Sequence, residues 1–304
     1  MTIAAGLLCR EGVLLAADTE HTSWQTKSHA SKIEIIPFQD GKVGLAGAGN
    51  TAFVSSAIRK FRDALTRTKT TDPLAIIESV HEKEYRRNVL KHPNHATEQD
   101  LHYWFLIGLW RGDKTKLYVT SLTAVADVAG FDCIGVGEPL ASHIIGPAYS
   151  TGMQYSEALP IVAYALAHVK EHVRECGGVT TVRFIANDGS EGAVFSEPGS
   201  SVCSEVERYA KGYDFLTKRL LIHITDPTKD EQYFEANLQN LFVTDVMRLF
   251  REVHADRKKR EAEIAANNPQ LSPDRAKTLA VQLSMGWPPL LPPSPESPGG
   301  SGES

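Results

Sequence analysis

The order of the secondary-structure signals predicts an α+β fold, a four-layer αββα sandwich in which helices cover the outer faces of two packed antiparallel sheets. Strand-like segments extend to Gly47, and two helical segments follow them. A second block of strands comes next, and then two more helices and another strand. This order of strand blocks and helix pairs is the one expected when helices are layered outside packed sheets.

The N-terminal segment predicts a β-hairpin and then a third strand. Two apolar runs flank a tight turn at Gly12. A hairpin returns the end of its second strand to the start of its first, so Asp18 is expected beside Thr2. Lys32 stands at the start of the third predicted strand, residues 31–36, and is expected within reach of both.

Apolar residues at helical spacing predict the helices. The second of them has Asp72 as its cap and Pro73 at its first helical position. The predicted helices cover residues 51–65, 72–89, 141–145 and 154–173. The predicted strands cover residues 2–9, 12–19, 31–36, 101–108, 116–122, 133–136 and 179–186.

The C-terminal third extends beyond the predicted sandwich. Residues 213–225 predict a last strand, and residues 230–263 predict a long helix with a charged, solvated end. The final stretch, 287–304, is rich in Pro, Gly and Ser and predicts disorder. The predicted division of the chain is a sandwich domain at 1–228, a helical extension at 229–267 and a largely disordered tail at 268–304.

Length and composition agree with a soluble globular protein, and the cytoplasm is the expected location. Of the 304 residues, 42% are hydrophobic and 23% are charged, as is usual for globular proteins. The net charge of −5 gives no basic surface for nucleic acid and no reason to expect a membrane partner. No apolar run reaches the roughly 18 residues of a membrane span, and the N-terminus lacks signal-peptide features. Four scattered cysteines fit a reducing compartment.

Thr2 is the residue that most clearly indicates a catalytic role. Removal of Met1 would leave a hydroxyl and a free α-amine on one residue, a known nucleophile-and-base pair. The ordinary pKa of an α-amine, about 7.7–8, leaves much of it neutral near physiological pH. A buried ammonium at Lys32 would favour the alkoxide, and the Asp18 carboxylate would orient that ammonium. Each residue alone also has an ordinary structural role, so the prediction depends on their joint order and spacing.

Three N-terminal segments together resemble the opening third of the proteasome β-subunit family of N-terminal nucleophile (Ntn) hydrolases, including its bacterial subunits. These segments are residues 2–19, 31–36 and 44–49. The separation of Thr2 from Asp18 fits the family pattern without a gap, and Lys32 fits it after a short deletion. The resemblance implies the four-layer sandwich, with Thr2 as nucleophile, its own amine as base, and Asp18 and Lys32 as the activating pair.

The resemblance also implies roles for residues that contact substrate. It implies the backbone N–H of Gly47 as the oxyanion donor, because a glycine lets the substrate approach the backbone closely. Gly49 is the competing donor, since the Ala-Gly-Ala-Gly stretch aligns with the family in two registers. Thr22 matches a position that holds the substrate backbone. The residues that fall at the primary specificity pocket are His21, Ala30 and Leu45.

Farther along the chain, the sequence departs from the family pattern. Val136 stands in a glycine turn where the family has a serine that supports the nucleophile. In a later turn, Cys176 and Val173 replace a serine and an aspartate. The missing groups hydrogen-bond the amine and the hydroxyl in the family. Glu171, Glu175 or a water could take their place.

These patterns together predict a threonine-type peptidase subunit that hydrolyses peptide (amide) bonds and needs no metal or organic cofactor. The resemblance implies a peptide or unfolded-protein substrate, bound in part as an added strand, and a homo-oligomer in the form of a ring or related assembly. One alternative is a non-catalytic assembly or scaffold subunit, which Val136 and Val173 motivate. The other alternative is an Ntn amidase that acts on a small metabolite.

Overall fold

The computed structural model describes residues 2–23, 26–67, 72–196, 202–210, 235 and 247–286. The strands are β1 (Ile3–Cys9), β2 (Gly12–Asp18), β3 (Glu20–Ser23), β4 (Thr26–His29), β5 (Ile33–Phe38), β6 (Gly41–Gly49), β7 (Tyr103–Arg111), β8 (Lys114–Ser121), β9 (Ala124–Val128), β10 (Phe131–Gly135), β11 (Thr180–Ala186) and β12 (Glu191–Phe195). The helices are α1 (Thr51–Arg67), α2 (Pro73–Tyr85), α3 (Glu138–Ala148), α4 (Tyr155–His172), α5 (202–210), α6 (Met247–Asn267) and α7 (Pro273–Ser284).

The strands form two five-stranded sheets and one small hairpin. The first sheet has the order β10-β1-β2-β11-β12, and the second has the order β5-β6-β7-β8-β9. Strands β3 and β4 pair with each other as the hairpin. All described strand pairs are antiparallel. The predicted hairpin of the first two strands is therefore present.

Three clusters of buried side chains separate the four layers. In β1, Ala5 and Leu7 pack in the cluster that includes α4, whereas Ala4 belongs to the cluster between the two sheets. The third cluster joins the second sheet to α1 and α2. Because neighbouring residues of a strand point to opposite faces, each sheet has one face toward helices and one toward the other sheet. The predicted αββα sandwich is confirmed.

Several element bounds differ from the predicted ones. The sequence does not predict four of the observed strands, β3, β4, β9 and β12. Helix α3 is longer than the predicted segment 141–145, because Glu138 and Pro139 form a favourable first turn. Helix α2 continues beyond Tyr85 as the π-helical turn Arg86–Leu90. The predicted strand 213–225 and the predicted disordered stretch 287–304 lie outside the described residues.

The described part of the C-terminal third contains helices in both the predicted helical extension and the predicted tail. Helix α6 lies within and just past the predicted helix 230–263, whereas α7 lies inside the predicted tail 268–304. Helix α7 forms because Ser272 caps it and Pro273 occupies its first position, while Ala276 and Ala280 are buried. None of the helices in the described ranges is both long and apolar enough to cross a membrane.

The turn that ends α7, Met285 and Gly286, lies against the edge strand β12. The backbone N–H of Ala193 donates to the carbonyl oxygen of Gly286 at 3.1 Å. The phenolic O–H of Tyr155 donates to the carbonyl oxygen of Met285 at 2.6 Å. These two bonds attach the turn to the edge of the first sheet and to the start of α4.

Candidate active site

Three charged or hydroxyl side chains meet where the first strands begin and end. Thr2 directly precedes β1, Asp18 is the last residue of β2, and Lys32 directly precedes β5. The antiparallel register of β1 with β2 pairs Ala4 with Ala17 and so brings Asp18 opposite the start of the chain. Thr2, Asp18 and Lys32 are exposed by only 3%, 0% and 6%. The structure thus brings these sequence-predicted residues together in a site shielded from water.

Hydrogen bonds join the three side chains. The Thr2 hydroxyl donates to Asp18 Oδ1, and Lys32 Nζ donates to the Thr2 hydroxyl oxygen. Lys32 Nζ also donates to Asp18 Oδ1 at 2.7 Å and to the Glu20 carbonyl oxygen at 2.5 Å. An ammonium carries three protons, and each of these protons has an acceptor here. The site is therefore built for a charged lysine that is bonded to the Thr2 oxygen.

Two backbone amides hold the Asp18 carboxylate in position. The N–H of Ile3 donates to Oδ1 at 3.1 Å, and the N–H of Gly177 donates to Oδ2 at 3.0 Å. Both carboxylate oxygens therefore have partners, which a fully buried carboxylate requires. Gly177 lies in the turn that precedes β11, so its hydrogen bond links this turn to the end of β2. The backbone groups of Glu20 and Gly177 were not anticipated, because a main-chain N–H or carbonyl has no signature in sequence.

Burial and charge act in opposite directions on Lys32. Burial lowers the pKa of this amine below its ordinary value of 10.5, because an apolar environment disfavours the charged form. The neighbouring Asp18 carboxylate opposes that shift through its charge and its hydrogen bond. The net direction is downward. A lysine with a lowered pKa holds its proton less firmly and can respond to charge that develops on the Thr2 oxygen.

The two glycines that compete as oxyanion donor differ in how their backbones are used. The N–H of Gly47 donates to the carbonyl oxygen of Lys32 at 3.1 Å, so it already has a partner. The N–H of Asn50, which directly follows β6, donates to the carbonyl oxygen of His102 at 3.0 Å. Successive N–H groups of a strand point to opposite sides, so the N–H of Gly49 points away from β7. Because β5 begins at Ile33, opposite Ala46, it does not reach Gly49.

A cavity of about 1090 Å³ opens beside Thr2. Its walls come from the junction of β6 and α1, from β7 and β8, and from the end of β10 with the start of α3. Gly49 lines this cavity, and Gly47 is not among its described lining residues. Gly135 sits directly against the nucleophile: its φ is +100°, and a Cβ there would lie 2.2 Å from the Thr2 carbonyl oxygen. Only glycine fits so close an approach.

Of the other predicted specificity residues, Leu45 and Ala30 are not among the described lining residues of this cavity. Leu45 packs with α1 and α2 on the opposite face of β6, because it lies an odd number of residues from Ala46 and Ala48, which face the other sheet. Leu45 therefore lies away from the described cavity, and its place in a specificity pocket stays a prediction. Ala30 is exposed. His21 and Thr22 lie in β3, opposite Ser28 and Lys27.

Two of the three residues that depart from the family pattern, Val136 and Cys176, lie at or beside the site. Val136 lines the cavity and is 38% exposed. Cys176 is buried beside Asp18 and Lys32, and burial raises the pKa of its thiol to about 12, so it stays neutral. Val173 packs against the core cluster around α4. Glu175, which the sequence suggests as a substitute for the missing groups, also lines the cavity beside Thr2.

The fold and the buried Thr-Asp-Lys group define the class: two antiparallel sheets between helix layers, with the candidate nucleophile at the start of a central strand, as in Ntn hydrolases. The chain belongs to the proteasome-subunit family, because the family model described as "Proteasome subunit" matches residues 2–183.

Within the described ranges, no group of three or more His, Cys, Asp and Glu side chains is placed to hold a metal ion.

Two archaeal proteins resemble this chain in sequence. Proteasome subunit beta 1 of Thermococcus gammatolerans is 28% identical over 191 residues, which cover 60% of this chain and 88% of that protein. Proteasome subunit beta 2 of Pyrococcus furiosus is 24% identical over 189 residues, which cover 62% and 88%.

Solved structures of Anbu proteins share the fold. The Gly-1 mutant of Anbu from Hyphomicrobium sp. strain MC1 has a TM-score of 0.61 at 12% identity, covering 74% of this chain and 100% of that one. The Anbu complex from Pseudomonas aeruginosa, solved as a helical assembly, has a TM-score of 0.61 at 14% identity, covering 76% and 99%. At these identities the likeness establishes the fold.

Proposed function

We propose that this protein is a threonine peptidase subunit that hydrolyses peptide bonds with Thr2 as nucleophile, after Met1 has been removed. The observation that supports this most directly is the buried contact of the Thr2 hydroxyl with the Asp18 carboxylate and the Lys32 ammonium. Membership of the proteasome-subunit family supports the same reaction class. No metal or organic cofactor takes part in the proposed reaction.

In the proposed reaction, the Thr2 hydroxyl oxygen attacks the carbonyl carbon of the peptide bond, and its proton passes to the freed α-amine of Thr2. The hydrogen bond from Lys32 stabilises the negative charge that develops on the attacking oxygen. The tetrahedral intermediate then collapses to an ester, and the leaving amine takes the proton from the α-ammonium. A water attacks the ester with the α-amine as base, which releases the acyl product and restores the Thr2 hydroxyl.

We assign the oxyanion donor to the backbone N–H of Gly49, the alternative register of the glycine stretch. Two observations support this choice: Gly49 lines the cavity beside Thr2, and the N–H of Gly47 is paired with Lys32. Gly47 then has a packing role, since a Cβ there would lie 2.5 Å from Val54 Cγ1. A preorganised N–H at this place would stabilise the oxyanion of both tetrahedral intermediates.

We further propose that the substrate is a peptide or unfolded segment, that copies of the chain assemble into a homo-oligomer, and that the protein works in the cytoplasm. The helical assembly of the Pseudomonas Anbu complex supports an oligomer. His21 and Thr22 in β3 are retained as candidate contacts for an extended substrate backbone, which would bind as an added strand. Ala30 is retained as a candidate neighbour of that strand.

Intact-mass measurement of the purified protein is expected to show loss of Met1, because the proposed base is the amine of Thr2. A matched control inserts one Lys between Met1 and Thr2, which blocks removal and keeps the threonine side chain. This control is expected to lack peptidase activity while giving an unchanged circular dichroism spectrum. Retention of Met1 in every molecule of an active preparation would contradict the proposal.

The pH profile of kcat/KM is expected to fall on its alkaline side at a pH below 10.5. The lowered pKa of Lys32 means that the ammonium is lost at a lower pH than in a free lysine, and with it the hydrogen bond that stabilises the attacking oxygen. Circular dichroism at each pH identifies any loss caused by unfolding. Activity that stays constant through pH 10.5 in a folded protein would show that this ammonium is not needed.

The alternative of a non-catalytic assembly subunit rests on one specific observation. The supporting hydroxyl and carboxyl groups of the family are replaced by apolar or neutral side chains at Val136, Val173 and Cys176. This alternative predicts oligomers without any turnover even after Met1 is removed. The small-metabolite amidase instead predicts turnover of simple amides and none of peptides, so assays on both substrate types distinguish the three functions.

A further inference from the structure

We propose that Lys170 and Glu207 are positioning residues that hold the turn before β11, residues 176–179, against the Thr-Asp-Lys group. This inference rests on the proposed function and names two further residues on which its rate depends. Neither side chain is among the described lining residues of the cavity beside Thr2, so both act on the reaction through the turn.

The turn forms hydrogen bonds with three consecutive residues at and after the end of β2. The N–H of Gly177 donates to Asp18 Oδ2 at 3.0 Å, and the N–H of Val179 donates to Thr19 Oγ1 at 2.9 Å. The N–H of Glu20 donates to the carbonyl oxygen of Gly177 at 3.1 Å. The carbonyl oxygen of Glu20 is itself an acceptor of the site lysine. The position of the turn therefore affects both the carboxylate and one acceptor of the ammonium.

Lys170 holds the turn from the side of α4. It lies in the last turn of that helix, and its Nζ donates to the Gly178 carbonyl oxygen at 3.2 Å and to the Thr180 hydroxyl oxygen at 2.8 Å. Gly178 has a φ of +76°, and a Cβ there would lie 2.6 Å from Thr19 Oγ1, so the turn packs closely against the end of β2. Thr180 pairs with Asp18 in the sheet. The ammonium thus bonds the turn and the first residue of β11 together.

Glu207, on α5, completes this arrangement. Its Oε1 accepts hydrogen bonds from Lys170 Nζ and from the Thr180 hydroxyl, the latter at 2.8 Å. All three protons of the Lys170 ammonium therefore have acceptors. The lysine and glutamate side chains are exposed by only 11% and 22%, so water and salt screen their attraction less than at an open surface. Residue 207 lies beyond residue 183, where the family match ends, so the resemblance assigns it no role.

The turn supports the site through its backbone. Cys176 stands where the family pattern has a serine. Among the described hydrogen bonds of the turn, that of the Gly177 N–H is the one that reaches the Asp18 carboxylate. Such a bond weakens steeply as its angle departs from linear, so it depends on what holds the turn in place. Loosening the turn is expected to lower kcat rather than raise KM, because the carboxylate acts on the reacting groups and not on the bound peptide.

The test uses the full-length protein and measures hydrogen–deuterium exchange of a segment covering the turn, together with kcat and KM on a fluorogenic peptide. In Glu207→Ala and in Lys170→Met, exchange of the turn is expected to be faster by on the order of tenfold, because bonds that hold it are lost. In both variants kcat is expected to fall by on the order of tenfold, with KM changed by less than about twofold. Exchange of a segment from β7 is expected to stay unchanged, which separates local loosening from a loss of global stability.

Two further variants serve as controls. Glu207→Gln keeps a side-chain oxygen as acceptor but loses the charge, so both measurements are expected to fall between those of the native protein and Glu207→Ala. Arg208→Gln removes a different ion pair from the same helix, since Arg208 bonds Asp256 of α6 at 2.8 Å. This variant is expected to leave exchange of the turn, kcat and KM unchanged.

The two measurements separate this inference from the proposed function. If the native protein hydrolyses no peptide but Glu207→Ala and Lys170→Met exchange faster at the turn, the peptidase proposal fails and the role of the pair in holding the turn stands. If the native protein is active and neither variant changes kcat, the positioning role is overturned and the peptidase proposal stands. Unchanged exchange at the turn overturns it with or without activity. Equal effects of Glu207→Ala and Arg208→Gln also overturn it.

Discussion

The Thr2→Ala variant is expected to lose peptidase activity by at least about a thousandfold, because the attacking oxygen is removed while the rest of the site remains. An electrophile selective for an N-terminal threonine is expected to label the native protein and not this variant. The change leaves the cavity and the proposed oxyanion donor in place, so substrate binding is expected to persist. Measurements are kcat/KM on a fluorogenic peptide and intact mass after labelling.

Thr2→Ser is the matched control for this experiment. Serine keeps a hydroxyl and, after removal of Met1, a free α-amine, so labelling and part of the activity are expected to remain. Circular dichroism should show the same fold for the native protein and both variants. Equal labelling of native protein and Thr2→Ala would remove Thr2 from the mechanism.

The Lys32→Met variant is expected to lose both activity and stability. Its ammonium donates to the Thr2 oxygen and to Asp18, and the two charged side chains are exposed by only 3% and 0%. Removing one partner of a buried ion pair leaves an uncompensated charge, so unfolding free energy should fall by about 3–5 kcal/mol. Activity is expected to fall by on the order of a hundredfold or more, as for the loss of one preorganised donor to developing charge.

The double variant Asp18→Asn with Lys32→Met separates the two effects of Lys32. With the carboxylate replaced by a neutral amide, no uncompensated charge remains, so urea denaturation should show part of the stability restored. Activity should not return, because the donor to the Thr2 oxygen is still missing. A Lys32→Met variant with native activity would contradict the role proposed for this lysine. No recovery in the double variant would show that the stability loss does not come from the lone carboxylate.

The central part of the site was predictable because its contacts are set by local strand pairing. The tight turn at Arg10 and Glu11 determines that Asp18 returns to the start of β1, and Lys32 follows 14 residues later, just before β5. The layer order was predictable for a similar reason, since apolar periodicity and block order specify which elements need to be covered. The αββα sandwich therefore follows from patterns that a single sequence contains.

The walls of the cavity could not be predicted, because they come from segments far apart in sequence. Gly177 reaches Asp18 across 159 residues, and Trp104 and Asp132 meet at the cavity only after the two sheets pack. The face occupied by Leu45 depends on the register of β6, and a shift by one residue moves a side chain to the opposite face. Sequence spacing alone left that register open.

The bond between Ala193 and Gly286 limits the ways in which copies of the chain can associate. An edge strand with open amides is a template for a strand of another molecule. At β12 the chain's own backbone already occupies that position at 3.1 Å. A neighbouring copy therefore cannot pair with the N–H of Ala193 without displacing Gly286.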